Sequence, residues 1–136
     1  MFEWNNNFSV KIPLIDEQHK KLFEIGENIN ILLQDHVGTD SFDEILEQIT
    51  ELSDYTKHHF EDEENMLKEH GYENLDEHIA EHKKFIDYLD ALNFDDIDDN
   101  QEETLKELIK FIASWIFKHI NNVDFKYADY IAEKIK

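Results

Sequence analysis

Cysteine is absent from the 136 residues, which removes disulfide frameworks, zinc ribbons and thiolate nucleophiles together. Proline occurs once and glycine three times. So few turn-formers favour long helices over many short strands. No apolar run approaches the ~20 residues needed to cross a bilayer. The opening residues lack the basic segment and apolar stretch of a secretory leader, so none is expected and a cytoplasmic location is. Positive charge is scarce as well: 13 Lys and Arg stand against 33 Asp and Glu, for a formal charge of −20. That surface repels a phosphate backbone and an anionic bilayer alike, so neither nucleic acid nor membrane is an expected partner. A negative field does attract metal cations.

Eight histidines stand out against this background. The hydrophobic spacing is helical throughout, with no sustained alternation of the kind a half-buried strand needs. A first helix is expected over 15–34, with the seam Ile15, His19, Leu22, Gly26, Ile29 and Leu33. Ser41 and Glu44 read as a capping box that opens a second helix. Its seam is Ile45, Ile49, Leu52, Thr56, His59, Glu63 and Met66, and His70-Gly71 supplies the stop. A third helix over 75–92 carries Leu75, His78, His82, Phe85 and Leu89, and 93–101 reads as a solvated, Asp-rich loop. A fourth over 102–121 carries Leu105, Leu108, Ile112, Trp115 and His119, followed by an amphipathic tail with Phe125, Tyr127, Ile131 and Ile135. The expected fold is all-α: one domain, 1–136, holding an antiparallel up-down-up-down four-helix bundle (15–121) between an N-terminal arm (1–14) and a short C-terminal helix (122–136).

The seams contain residues that an apolar core does not want. His19, His59, Glu63, His78, His82 and His119 fall among Leu, Ile and Phe, where an unpaired imidazole or carboxylate costs several kcal/mol. Metal coordination offsets that cost. His59 and Glu63 are four apart, as are His78 and His82, so each pair shares a helical face. Asp124 follows His119 by five residues, which is roughly 140° around a regular helix. Both can face the core only if the helix ends or distorts near Asn121-Asn122. Seven nitrogen and oxygen donors exceed what one zinc uses, and calcium or magnesium prefers oxygen alone. Two octahedral ions need about twelve bonds. Five imidazoles, two bridging carboxylates and a bridging oxide leave roughly one position for a small ligand. Ferritin-like di-iron sites differ in using repeated Glu-x-x-His motifs, and no Glu precedes any histidine here by three residues. His36, His58 and His70 miss the seams and are expected on the surface.

Over nearly its whole length the chain resembles the bacterial hemerythrins. The resemblance rests on Phe2-Glu3-Trp4, Ser9-Val10, Ile12, Ile15-Asp16-Glu17-Gln18-His19-Lys20, His59-Phe60-Glu61-Asp62-Glu63-Glu64 with Met66, His78 with His82, and Trp115, His119, Ile120 and Asp124. It implies two iron ions in an oxo- or hydroxo-bridged pair. His78, His82 and His119 would ligate one iron; His19 and His59 would ligate the other, which keeps an open position for dioxygen. Glu63 and Asp124 would bridge. An apolar oxygen pocket would map onto Leu22, Phe60, Trp115, Ile116 and Ile120. Two departures stand out: Ile116 where the family often has Leu, and Lys11 where Gly is common. The function so implied is reversible oxygen binding for transport, storage or delivery, by a monomer that is not an enzyme. The alternatives are an oxygen or redox sensor, or an enzyme that handles peroxide or nitric oxide. Lys118 and Tyr127 are the candidate proton donors for an enzymatic reading.

Overall fold

In the computed structural model, residues 2–36, 39–120 and 124–134 are described. Pro13 opens helix α1, Pro13–Asp35, at the position where its missing N–H costs nothing. Helices α2 (Phe42–Glu69), α3 (Leu75–Asp90), α4 (Phe94–Asp99), α5 (Gln101–His119) and α6 (Phe125–Lys134) follow, and a 3-10 turn, Asn6–Phe8, lies in the arm. No strand occurs among the described residues. Helix α1 packs on α2 and α5, and α2 packs on α3. The α3–α5 seam is filled by large rings: Tyr88 stacks on Phe111 at 3.7 Å, and Phe85 meets Phe111 and Trp115 at 5.1 and 4.7 Å. The early part of α1, the late part of α2, the early part of α3 and the end of α5 all reach one level. Neighbouring helices are therefore antiparallel, as short connections require.

Helix ends show where local sequence rules hold and where tertiary contacts replace them. Gly71 closes α2 with φ +68°, the left-handed C′ conformation. There Tyr72 N–H bonds Leu67 O and Gly71 N–H bonds Lys68 O. At the other end of α2 the Ser41 side chain makes no capping bond. Its hydroxyl lies 2.9 Å from His36 Nδ1, and its N–H donates to Gln101 Oε1. The capping box is thus replaced by contacts across the bundle end. The expected loop 93–101 contains the short helix α4, because Asn93 caps it through the Asp95 and Asp96 N–H groups and Ile97 is buried beneath it. In the α2 seam Leu67 is buried and Met66 only half-buried. His58 is exposed as expected. His36 and His70 are half-buried instead, the latter with its ring on Met66 O at 2.9 Å. Val37, Gly38, Ile135 and the expected break at Asn121-Asn122 lie outside the described residues.

The arm is tied down by its own residues. Asp16, in the first turn of α1, accepts from Ser9 Oγ and from Val10 N–H. Phe2 lies over Gly26, where a Cβ would come within 3.0 Å of its ring. Trp4 and Phe8 pack edge-on against Phe23. Lys11 holds φ 62°, a left-handed backbone that costs a side-chain-bearing residue roughly 1–2 kcal/mol. Glycine returns part of that gain as unfolded-state entropy. Lys11→Gly should therefore stabilise the fold by about 0.5–1 kcal/mol, read as a rise of a few degrees in melting temperature. An unchanged or lowered midpoint would show that the strain is compensated locally.

Two apolar clusters make the core: α1 and α2 contribute buried residues to both, α3 and α5 only to the larger, and α6 only to the smaller. Ile15, Leu67, Tyr127, Ala128 and Ile131 belong to the smaller cluster with Val10 and Ile12. Leu22, Phe60, Phe85, Ile116 and Ile120 belong to the larger. Between the two, the four long helices carry polar residues at one level: His19 on α1, His59 and Glu63 on α2, His78 and His82 on α3, and His119 on α5, joined by Asp124 just before α6. All seven are buried.

Candidate metal centre

The five imidazoles present Nε2 to one another across this polar layer, and two carboxylates stand between them. Glu63 Oε1 contacts His78 Nε2 and lies 3.0 Å from His82 Nε2. Its Oε2 faces His59 Nε2 at 3.4 Å and His19 Nε2 at 3.7 Å. Asp124 divides in the same way. Oδ1 lies 3.2 Å from His78 Nε2 and 3.0 Å from His119 Nε2, and Oδ2 lies 3.2 Å from His19 Nε2. Each carboxylate therefore gives one oxygen to the group His78, His82, His119 and the other to the group His19, His59. Glu63 belongs to both compact donor clusters among the described residues, one with His78, His82 and His119, the other with His19 and His59.

Asp124 reaches the layer although it follows His119 by five residues. Ile120 and Asp124 both lie in π-type turn geometry, whose i to i+5 closure returns residues five apart to one face. The segment between them, 121–123, where the break was expected, lies outside the described residues.

Protons pull these groups in opposite directions. Burial depresses the His19 and His78 imidazoles, but the close Asp124 and Glu63 carboxylates outweigh it, pushing them up to about 9 and about 10. His82 is also raised, by Glu63 and Glu64 against burial. Burial carries His59 down to about 3, with Glu63 opposing. Burial would raise both carboxyls, yet the surrounding imidazoles hold Glu63 and Asp124 well below the usual carboxylate range.

The donor set fits a pair of cations. Both Asp124 oxygens and Nε2 of His119 are buried within the layer without an aligned hydrogen bond. His119 Nε2 is close to Asp124 yet misaligned for donation. Inward lone pairs of this kind are what a metal ion satisfies, and imidazole with carboxylate suits iron among the transition metals. Beyond the seven, the sequence reading passed over three partners. His59 Nδ1 lies 2.7 Å from Gln18 Oε1, Gln18 Nε2 donates to Asp62 Oδ2 at 2.8 Å, and His82 Nδ1 lies 2.7 Å from Glu64 Oε2. Within the acidic run 61–64 only Glu61 is exposed; Asp62 and Glu64 are half-buried. Tyr127, fully buried, donates to Glu63 Oε2 at 3.0 Å, whereas Lys118 is exposed.

The expected pocket residues lie beside the layer. Phe60 stacks on His82 at 3.9 Å and Trp115 on His119 at 4.1 Å. Leu22, Ile116 and Ile120 are buried in the same cluster, and Trp115 is half-buried against it.

Comparison with known proteins agrees with this geometry. The sequence model of the hemerythrin HHE cation-binding domain matches residues 10–131. A bacteriohemerythrin of Clostridium acetobutylicum is 37% identical over 129 residues, which is 95% of this chain and 100% of that protein. A myohemerythrin of Theromyzon tessulatum is 32% identical, covering 93% of this chain and 90% of its own. A wild-type hemerythrin crystal structure superposes with a TM-score of 0.74 over 96% of this chain and 97% of that one, at 24% identity.

Proposed function

The chain belongs to the hemerythrin family, and on that premise we propose that the five histidines with Glu63 and Asp124 hold its two iron ions. His78, His82 and His119 serve one ion, and His19 and His59 the other. The observation that carries this division is the split of both carboxylates, one oxygen to each imidazole group. When bound, a ferrous pair supplies two electrons and an open coordination position, which together hold dioxygen reversibly.

The chain's own residues set the conditions. Five imidazoles satisfy the metals without adding charge, so the two carboxylates leave a net positive centre inside an apolar core. Leu22, Phe60, Trp115, Ile116 and Ile120 surround it with carbon. Such surroundings keep out the water and protons that would drive irreversible oxidation. Tyr127 holds Glu63 in place. Burial and the two carboxylates raise its hydroxyl well above the usual phenol range, so it remains a donor and not a source of protons. Lys118 points to solvent. Without a transferable proton in the pocket, binding is favoured over turnover, and carriage or storage of dioxygen is the role we assign.

The test is a visible spectrum of iron-loaded, reduced protein, taken without air, in air, and after degassing. A charge-transfer band that rises in air and disappears on degassing is expected. A band that persists after degassing would point to an oxidase or sensor. Ile116→Ala should open the pocket and shorten the lifetime of the oxygenated form several-fold. An unchanged decay would remove Ile116 from the pocket.

A further inference from the structure

Resting on the assignment of His59 to the two-histidine ion, we propose that Gln18 is the positioning residue that fixes the His59 tautomer for metal binding, and that Asp62 fixes which way the Gln18 amide faces. The reasoning starts at the rim. Asp62, about one-third exposed, accepts from Gln18 Nε2 at 2.8 Å. A carboxylate only accepts, so the amide must turn its NH2 towards Asp62 and its oxygen inward. That oxygen lies 2.7 Å from His59 Nδ1. An amide oxygen also only accepts, so Nδ1 carries the hydrogen. Neutral imidazole has one N–H, which leaves Nε2 as a bare lone pair. Nε2 is the atom that faces Glu63 Oε2 across the site. A carboxylate at the edge thereby determines the ligating nitrogen in the core, through one buried glutamine.

The two halves of the site differ in this respect. His82, in the three-histidine half, has its Nδ1 on the Glu64 carboxylate. Nδ1 of His19, His78 and His119 lacks a hydrogen-bond partner. Among the described residues each half therefore has one anchored imidazole, and the anchor is charged in one half and neutral in the other. Loss of Gln18 strips the two-histidine half of its only anchored ligand and leaves the other half intact.

The test is titration of metal-stripped protein with cobalt(II), followed by its absorption bands, with the melting temperature of each stripped variant as a folding control. The wild type should take two equivalents. Gln18→Leu should weaken one equivalent about 10–100-fold, the usual effect of removing such a partner, and leave the other within about twofold. Gln18→Glu, which keeps an acceptor, should retain both. Asp62→Ala should produce an intermediate loss, and no added loss in combination with Gln18→Leu. Asp62 is at the rim, so that variant tests the proposal even if Gln18→Leu does not fold. Wild-type affinity for both equivalents in Gln18→Leu would overturn the proposal. So would equal weakening of both, or a Gln18→Glu variant no better than Gln18→Leu. A wild type that takes fewer than two equivalents would sink the two-ion assignment itself, and the inference with it.

Discussion

Glu63→Gln should leave the protein with far less than one iron per chain after loading, measured by metal analysis of the desalted protein. Glu63 is fully buried and addresses four imidazoles, two from each group. Glutamine keeps the shape but replaces one oxygen by an NH2, which cannot ligate and which points a donor at metal or imidazole. One ion loses its ligand oxygen, the other keeps only a neutral amide oxygen, and the pair loses half of its compensating negative charge. Removing one partner from a buried charged set costs about 3–5 kcal/mol, a factor of several hundred or more in affinity. The stripped variant should also melt lower than stripped wild type, because raised imidazoles lose the carboxylate that holds their protons. Glu61→Gln, one turn-face away and exposed, should behave as wild type. Two full equivalents of iron in Glu63→Gln would remove Glu63 from the centre.

Stripping the metal should lower the melting temperature by roughly 20 °C at neutral pH. Two ions held at about a thousandfold excess over their dissociation constants stabilise by about 4 kcal/mol each, and each kcal/mol is worth a few degrees in a chain of this size. The gap should change with pH, with a definite sign. His19 and His78 have folded values of about 9 and about 10. In stripped protein they contribute stability that is complete below the unfolded value near 6.5 and is lost as pH rises towards 10. His59 works the other way. Its folded value of about 3 keeps it neutral, so stability falls as pH drops from about 6.5. Glu63 and Asp124, both depressed, contribute above the usual carboxylate range and are lost in strong acid. Stripped protein should thus be most stable near pH 6.5. In loaded protein, metal replaces the protons on the raised imidazoles, so the alkaline decline should be absent and the gap should widen from pH 6.5 to 9. Loading near neutral pH should release protons from His19 and His78, measurable by calorimetry in buffers of different ionisation enthalpy. A gap that narrows over that range, or loading without proton release, would contradict this charge assignment.

Much of this was legible in the sequence because it depends on periodicity. Six of the polar ligands announce themselves by occupying positions where the 3.6-residue repeat demands Leu or Ile. Asp124 was legible by the opposite route: its register was wrong for a straight helix, so a useful Asp124 implied a distorted one. The partners one layer out followed no such rule. Gln18 precedes a ligand by one residue and lies off the α1 seam. Asp62 and Glu64 sit in a run of four acids that reads as a solvated face. Only the packing of α1 and α3 against α2 gives them partners. The ends of the bundle were hidden for the same reason. Ser41 has the composition of a cap, but His36 and Gln101, brought in by the fold, take up its polar groups. Helix α4 is too short to carry a period, and its stability comes from one Asn cap and one buried Ile97.

The central claim is that two metal ions share Glu63 and Asp124 between a three-histidine and a two-histidine group. The most direct measurement is an anomalous difference map of iron-loaded crystals at the iron edge. Two peaks are expected in the polar layer, one among His78, His82 and His119 and one beside His19 and His59, with both carboxylates between them. A single peak, or a pair that leaves either Glu63 or Asp124 outside coordination distance, would contradict it.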